Sequence, residues 1–235
     1  MELIAHRGAS LYAPENTLEA CRLAHKMGAR SVECDVQLTA DHVPVILHDN
    51  YLNRTTNGSG KVREASYAEI SSLDAGAWFS PQYVGARVPL LSDLLQWQKQ
   101  TGIYLHLEIK GLAKRQLASG VACIMEQVHR FGRVDRIQIL SFQVAVLAHL
   151  QAMGNTLPTA LEIAYCRRHT IAVAQDLGCQ HLNMSYRYLR WSRVQEVQRA
   201  GMQVGVFTIN DQRALSRLQA VGVDRVFTDD LALLR

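Results

Sequence analysis

Short apolar runs rich in β-branched residues alternate along this chain with longer stretches whose apolar positions recur every three or four residues. The short runs fall at 2–6, 31–37, 104–110, 137–141, 159–163, 181–184, 203–208 and 225–228, with the length and composition of strands. The stretches between them read as amphipathic helices. Leu117, Val121, Ile124 and Val128 share one face of one helix, and Ala214, Leu215 and Leu218 share a face of another. Asn16-Thr17-Leu18-Glu19 has the layout of a capping box, and Gly28 suits the end of the helix it opens. Asn210 and Asp211 are placed to cap the helix after the seventh strand. Alternation of this kind predicts right-handed crossovers and a parallel sheet, and eight repeats close into a (β/α)8 TIM barrel of the α/β class. An open doubly wound sheet competes, but no GxGxxG follows the first strand.

One segment breaks the alternation. Between the apolar end of the second strand and Val43-Pro44-Val45-Ile46-Leu47 there are too few residues for a helical crossover, which predicts a hairpin turning at Asp41-His42. Paired positions would then sum to 83 and set His48 opposite Asp35, with Pro44 tolerated on an outer strand. Residues 50–95 form a long excursion rich in Gly, Ser and Asn, with one short helical piece at Tyr67–Leu73. Insertions of that length in a compact domain are usually functional, and this one is expected to cover the barrel mouth. The whole chain, 1–235, reads as a single domain.

Composition narrows the classes. A 48% hydrophobic, 20% charged chain can bury a large core and is not disordered. The net charge of +4 is spread without an aromatic-studded basic stripe, so nucleic acid is not an expected partner and small anions are. Five cysteines without CxxC spacing suggest reduced thiols rather than a disulfide framework. No signal-peptide pattern or membrane-length apolar run is present, so the expectation is a cytoplasmic protein with no stable membrane insertion. Whether the barrel pairs into a homodimer is left open.

In such a barrel the active site lies at the C-terminal ends of the strands, and several of these strands end in polar residues. The first ends in His6-Arg7-Gly8. The second carries Glu33 and Asp35 on one face, and the third carries Glu108 and Lys110 with His106 below them. Asn183 lies on the sixth, and the seventh ends in Thr208 with Asn210 beyond it. A lone strand-end His is more often structural than catalytic. Here three carboxylates, two histidines, an Arg and a Lys converge on one rim, and grouping three buried carboxylates is costly without a cation. An all-oxygen set, Glu33, Asp35 and Glu108, suits Mg²⁺ or Ca²⁺ better than Zn²⁺. With Arg7 and Lys110 added, the set suits phosphoryl chemistry. Glu162 also approaches the rim, although pairing with a surface Arg explains it equally well. His25, His42, His129, His149, His169 and His181 are given no role.

The ordered motifs resemble the glycerophosphodiester phosphodiesterase family over essentially the whole chain. They are His6-Arg7-Gly8, Pro14-Glu15-Asn16-Thr17, Glu33-x-Asp35, His48-Asp49, Asn53-Arg54-Thr55-Thr56-Asn57-Gly58, Leu73 to Phe79 and Leu107-Glu108-Ile109-Lys110. Ser141-Phe142, Val206 to Asn210, Gly222-Val223-Asp224 and Phe227-Thr228-Asp229 continue the series. Each is weak alone; the ordered set is specific. The resemblance implies metal-dependent hydrolysis of glycerophosphodiesters to sn-glycerol 3-phosphate and an alcohol such as choline or ethanolamine, a role in lipid and glycerol metabolism. It implies His6 and His48 as the general acid/base pair, Glu33, Asp35 and Glu108 as ligands of Mg²⁺ or Ca²⁺, and Arg7 and Lys110 at the phosphate. It implies support from Glu15 and Asn16, and a pocket wall at Phe207, where Trp or Tyr is usual. Gly111 stands where Pro commonly follows the Lys, and Leu90 where a hydroxyl residue is common; both bear on substrate preference. Two rivals are a phosphodiesterase of lysophospholipids or glycerophosphoinositol, and a barrel that only binds. The full complement of catalytic residues weighs against the second.

Overall fold

The computed structural model describes residues 1–234. Nine strands occur in chain order: β1 (Glu2–His6), β2 (Ser31–Leu38), β3 (Pro44–Ile46), β4 (Tyr104–Ile109), β5 (Ile137–Ser141), β6 (Thr159–Ile163), β7 (His181–Ser185), β8 (Gln203–Phe207) and β9 (Arg225–Thr228). All but β3 are parallel, and pairing of β1 with both β9 and β2 closes them into an eight-stranded barrel. The helices are α1 (Leu18–Lys26), α2 (Tyr67–Ser71), α3 (Leu91–Thr101), α4 (Leu117–Phe131), α5 (Val144–Ala152), α6 (Arg168–Asp176), α7 (Trp191–Arg199) and α8 (Gln212–Ala220). The expected TIM barrel is therefore present.

Side-chain alternation along each strand sorts the residues into two cores. Val32, Cys34 and Val36 of β2 join Val121, Ile124 and Val128 of α4 in the main cluster between barrel and helices. Each such buried side chain contributes about 1.5–3 kcal/mol. Inside the barrel Ile4, Leu140, Ala160 and Phe227 form a smaller apolar layer. Polar side chains share that interior. Arg225 donates to Gln138 Oε1 at 2.5 Å and to Asn183 Oδ1 at 3.3 Å, and Gln138 also bonds His106 at 3.0 Å. A side chain at Gly205 would come within 2.2 Å of Asn183 Oδ1, so glycine there leaves this network its room. All five cysteines are free thiols, and no helix among the described residues is long and apolar enough to cross a membrane.

The hairpin forms, but its register differs by one residue. Val36 pairs Ile46, Gln37 pairs Val45 and Leu38 pairs Pro44, so Asp35 faces Leu47, whose N–H donates to the Asp35 carbonyl at 3.0 Å. The cause is the turn. Thr39 still pairs with Val43, which leaves a three-residue loop, Ala40 to His42, closed by His42 at φ 60°. An odd loop shifts the sum by one relative to a two-residue turn. Because β1 pairs only with Val32 and Glu33 of β2, β3 occupies the edge of β2 beyond the end of β1.

Three boundaries also move. The N-cap of α1 is Thr17, whose hydroxyl accepts from the Ala20 N–H at 3.1 Å, rather than Asn16. Asp211 caps α8 alone. The excursion ends before residue 95, because α3 starts at Leu91 and is a helix of the barrel layer. The excursion holds α2, two 3-10 turns, at Val62–Glu64 and Pro81–Tyr83, and its own cluster of Leu52, Val62, Ile70, Ala75 and Val88 against the hairpin residues Val45 and Leu47.

Gly8 follows the first site residues at φ 82°, and an added Cβ would lie 2.7 Å from the Ala20 carbonyl carbon and Cβ in α1. Gly8→Ala therefore combines left-handed strain with a backbone clash and is expected to cost about 2 kcal/mol or more. Thermal unfolding should report a fall in Tm of about 4–8 °C; an unchanged Tm would show that α1 can yield.

Candidate active site

The strand ends place three carboxylates together. One ligand oxygen from each of Glu33, Asp35 and Glu108 lies within 4.8 Å of the other two, and all three residues are buried. Two cations reach them. Lys110 Nζ stands 2.8 Å from Glu108 Oε1 and 3.3 Å from Asp35 Oδ1, and Arg7 Nε lies 3.4 Å from Asp35 Oδ2. Burial works against ionising Asp35, but Lys110, Arg7 and His48 outweigh it and hold its carboxyl well below the usual range. Elsewhere the charges do not balance. Burial and then Asp35 push Glu33 well above the usual carboxylate range against the pull of Arg7. Burial, Glu162 and Asp35 push Glu108 up to about 11. Two cations thus leave the cluster short of positive charge.

Both histidines are held by an aspartate. His6 Nδ1 bonds Asp229 Oδ1 at 2.7 Å and His48 Nδ1 bonds Asp49 Oδ1 at 2.6 Å. In each case the Nδ1 proton is donated, which leaves Nε2 for other work. His6 Nε2 lies 3.9 Å from Glu33 Oε2. Asp229 is itself fixed by Ser10 and Asn210. The His48 ring is pushed below the usual imidazole range by burial, against Asp35, with Arg7 and Lys110 adding to the fall.

The β1–α1 loop supplies the clamp. Asn16, at φ 58° and buried, donates its amide to Asp35 Oδ2 at 2.7 Å and accepts the Asp35 N–H at 3.1 Å. That pair of hydrogen bonds to Asp35 is what its side chain does instead of capping α1. Glu15 accepts from Arg7 at 2.8 Å and from Arg54 of the insertion at 2.7 Å, and Arg54 also holds Asp49 at 2.6 Å. Arg54 therefore ties the insertion to both the His48 support and the Arg7 support. Arg7 Nε is buried and makes no hydrogen bond.

An apolar side completes the rim. Phe207 packs edge-on against Phe142, centroids 5.7 Å apart, and Lys110 Nζ stands 5.9 Å from the Phe142 ring. Glu162 is not a partner of a surface Arg. It is 5% exposed inside the barrel, accepts from Asn183 at 3.3 Å and acts on Glu108. Asp49, Asp229, Arg54 and Phe142 stand in the motif series but were given no role in the site by sequence reasoning. A signal existed for Asp229, which directly follows the last strand and so falls beside the end of the first once the barrel closes.

The family model for the glycerophosphoryl diester phosphodiesterase family matches residues 6–233. The chain is 31% identical to a Bacillus subtilis glycerophosphodiester phosphodiesterase over 247 residues, covering 96% of this chain and 82% of that protein. It is 30% identical to one from Caldanaerobacter subterraneus over 230 residues, covering 97% and 93%. Among solved structures, an Oleispira antarctica phosphodiesterase in complex with the product sn-glycerol-3-phosphate superposes with a TM-score of 0.95 at 31% identity, covering 100% of this chain and 95% of that one.

Proposed function

The chain belongs to the glycerophosphoryl diester phosphodiesterase family, and from that premise we propose that it hydrolyses glycerophosphodiesters of the glycerophosphocholine and glycerophosphoethanolamine type to sn-glycerol 3-phosphate and the free alcohol. The observation that carries this reading is the buried triad of Glu33, Asp35 and Glu108 beside two aspartate-held histidines. The triad fits a divalent cation. Its donors are hard oxygens, and two of its three carboxyls, Glu33 and Glu108, remain raised although Arg7 and Lys110 are in place. Glu33, Asp35 and Glu108 would hold Mg²⁺ or Ca²⁺, which when bound supplies Lewis-acid stabilisation of phosphoryl charge.

The remaining work falls to the chain itself. Arg7 and Lys110 neutralise the non-bridging oxygens as charge develops on them. Asn16 fixes Asp35, and Glu15 and Arg54 keep Arg7 in place, which is the support assigned to this loop. His6 and His48 exchange protons with the nucleophile and the leaving alkoxide through Nε2. Phe207 and Phe142 form an apolar wall at the rim. A cavity of about 200 Å³ opens beside Lys110, between Asn50, Tyr51 and Lys61 of the insertion and Gly111–Leu112 of the β4–α4 loop. This cavity would take the leaving alcohol, with the insertion limiting its size and the glycine widening its rim. The reading is of one barrel domain acting on a small soluble substrate in the cytoplasm.

The direct test offers glycerophosphocholine, glycerophosphoethanolamine, glycerophosphoinositol and a lysophospholipid, with and without chelator, and measures release of glycerol 3-phosphate. Release from the first two is expected. Release of glycerol 3-phosphate from none of the four would overturn the reading.

A further inference from the structure

The loops after β6 and β7 carry charge that the phosphodiester chemistry does not use. Segments 164–169 and 185–193 hold Arg167, Arg168, Arg187, Arg190 and Arg193 without one Asp or Glu. A chain whose whole net charge is +4 thus gathers five positive charges on two neighbouring loops and the first turns of the helices after them. Tyr186 to Arg193 interleaves basic with aromatic residues, so the charge is less evenly spread than expected. Four of these side chains line a cavity of about 440 Å³ at the outer rim of the barrel. Only Arg193 has an acidic partner among the described residues, Glu196. Unpaired guanidiniums converging on one cavity suit a phosphate group, which each can grip with two parallel N–H bonds.

The surroundings decide what carries that phosphate. Tyr165 and Tyr188 stack over the cavity with centroids 3.9 Å apart, and both remain exposed, as does Trp191 beside them. Apolar exposure continues around the mouth at Leu11, Trp78, Val84, Phe142 and Val144. Among the described residues, seven of the eleven exposed large hydrophobic side chains stand on the insertion or on loops that follow barrel strands, and Val144 and Trp191 are the first residues of the helices those loops lead into; the others are Met1 and Met153. A free phosphorylated metabolite would fill the cavity and leave that ring in water. A bilayer surface satisfies both features, because tyrosine and tryptophan settle at the level of the head groups while basic side chains meet anionic lipid.

We propose that the catalytic end of the barrel docks on an anionic phospholipid surface, with head-group phosphates in the arginine-lined cavity between the β6 and β7 loops. Tyr165, Tyr188 and Trp191 rest at the head-group level beside it. The proposal does not depend on which diester is hydrolysed.

The test uses the full chain with vesicles of phosphatidylcholine alone and of phosphatidylcholine containing about a third phosphatidylglycerol. Sedimentation with the anionic vesicles only, weakened by salt, is expected. Arg167→Glu/Arg190→Glu should lower that partitioning at least about 30-fold, and Tyr165→Ser/Trp191→Ser should lower it without changing the salt dependence. Both variants should cleave a soluble glycerophosphodiester as the unaltered chain does, which reports an intact fold and keeps this test separate from the catalytic reading. Trp78 and Trp191 should shift their emission to the blue on the anionic vesicles. Equal partitioning to the two vesicles, or none, overturns the proposal, and so does undiminished binding by the double Arg variant. Arginine-dependent binding of inorganic phosphate or an acidic peptide, in a protein that ignores vesicles, would replace the lipid by a small anion or a protein partner.

Discussion

Exhaustive removal of divalent cations is expected to abolish hydrolysis, and Mg²⁺ or Ca²⁺ to restore it. The expectation comes from charge balance. Three buried carboxylates face two cations, and burial with mutual repulsion keeps Glu33 well above its ordinary range and Glu108 at about 11. At neutral pH Glu108, at about 11, holds its proton in the cation-free protein, and burial with the neighbouring Asp35 favours the protonated form of Glu33 as well. A divalent ion must displace these protons, so its affinity should rise with pH. Binding should also be visible without any turnover. At an ion concentration about a hundred times Kd the folded state gains about 2.7 kcal/mol, which for a chain of this size raises Tm by about 5–10 °C. Asp35→Asn removes one ligand charge at nearly constant shape. It should shrink both the Tm shift and the activity, while the Asn16 clamp, which needs only hydrogen-bonding groups, can persist. Full activity in the exhaustively chelated protein, with no Tm response to either ion, would remove the metal from the mechanism.

Much of this site was legible because strand periodicity is a strict rule. Residues two apart on a strand share a face, so Glu33 with Asp35, and Glu108 with Lys110, could be grouped before any coordinates, and the structure brings the three carboxylates together. Strands bounded by clear turn chemistry also fell at their expected limits, as β5 and β6 show. What was not legible depended on single backbone conformations or on closure of the barrel. The hairpin register turned on whether His42 adopts a left-handed φ, which a pattern of apolar residues does not encode. Asn16 looked like a cap because its spacing from Glu19 allowed it, yet the buried Asp35 peptide and carboxylate compete for the same amide. Glu162 was ambiguous because a lone acid on a strand carries no sign of which face the barrel encloses. Of the aspartates behind the histidines, Asp49 adjoins His48 in the chain, but His6 and Asp229 are 223 residues from each other and meet only because β9 returns beside β1.

Replacing either His6 or His48 by alanine is expected to lower kcat by at least about 10²-fold, because phosphodiester cleavage needs one proton removed and another delivered. The alcohol that leaves is a poor leaving group unless it is protonated, and the nucleophile, water or the substrate's own glycerol hydroxyl, is weak until it is deprotonated. Imidazole is suited to both tasks near neutrality. Aspartate bonds at Nδ1 hold both rings with Nε2 available, so position does not distinguish the roles. Titration can help. Burial together with Arg7 and Lys110 places the His48 transition below the usual imidazole range, and a bound cation would move it in the same direction. If His48 is the base, it works only when neutral, and kcat/KM is lost as pH falls through that value. If it is the acid, it works only when protonated, and kcat/KM is lost as pH rises through it. The sign of the limb that disappears in His48→Ala therefore reports the role. A p-nitrophenyl diester provides the independent check, since p-nitrophenolate departs without a proton. The alanine variant lacking the acid should recover most of its rate on that substrate, and the variant lacking the base should not. Recovery by neither would break the division of labour between the two histidines even if both proved essential.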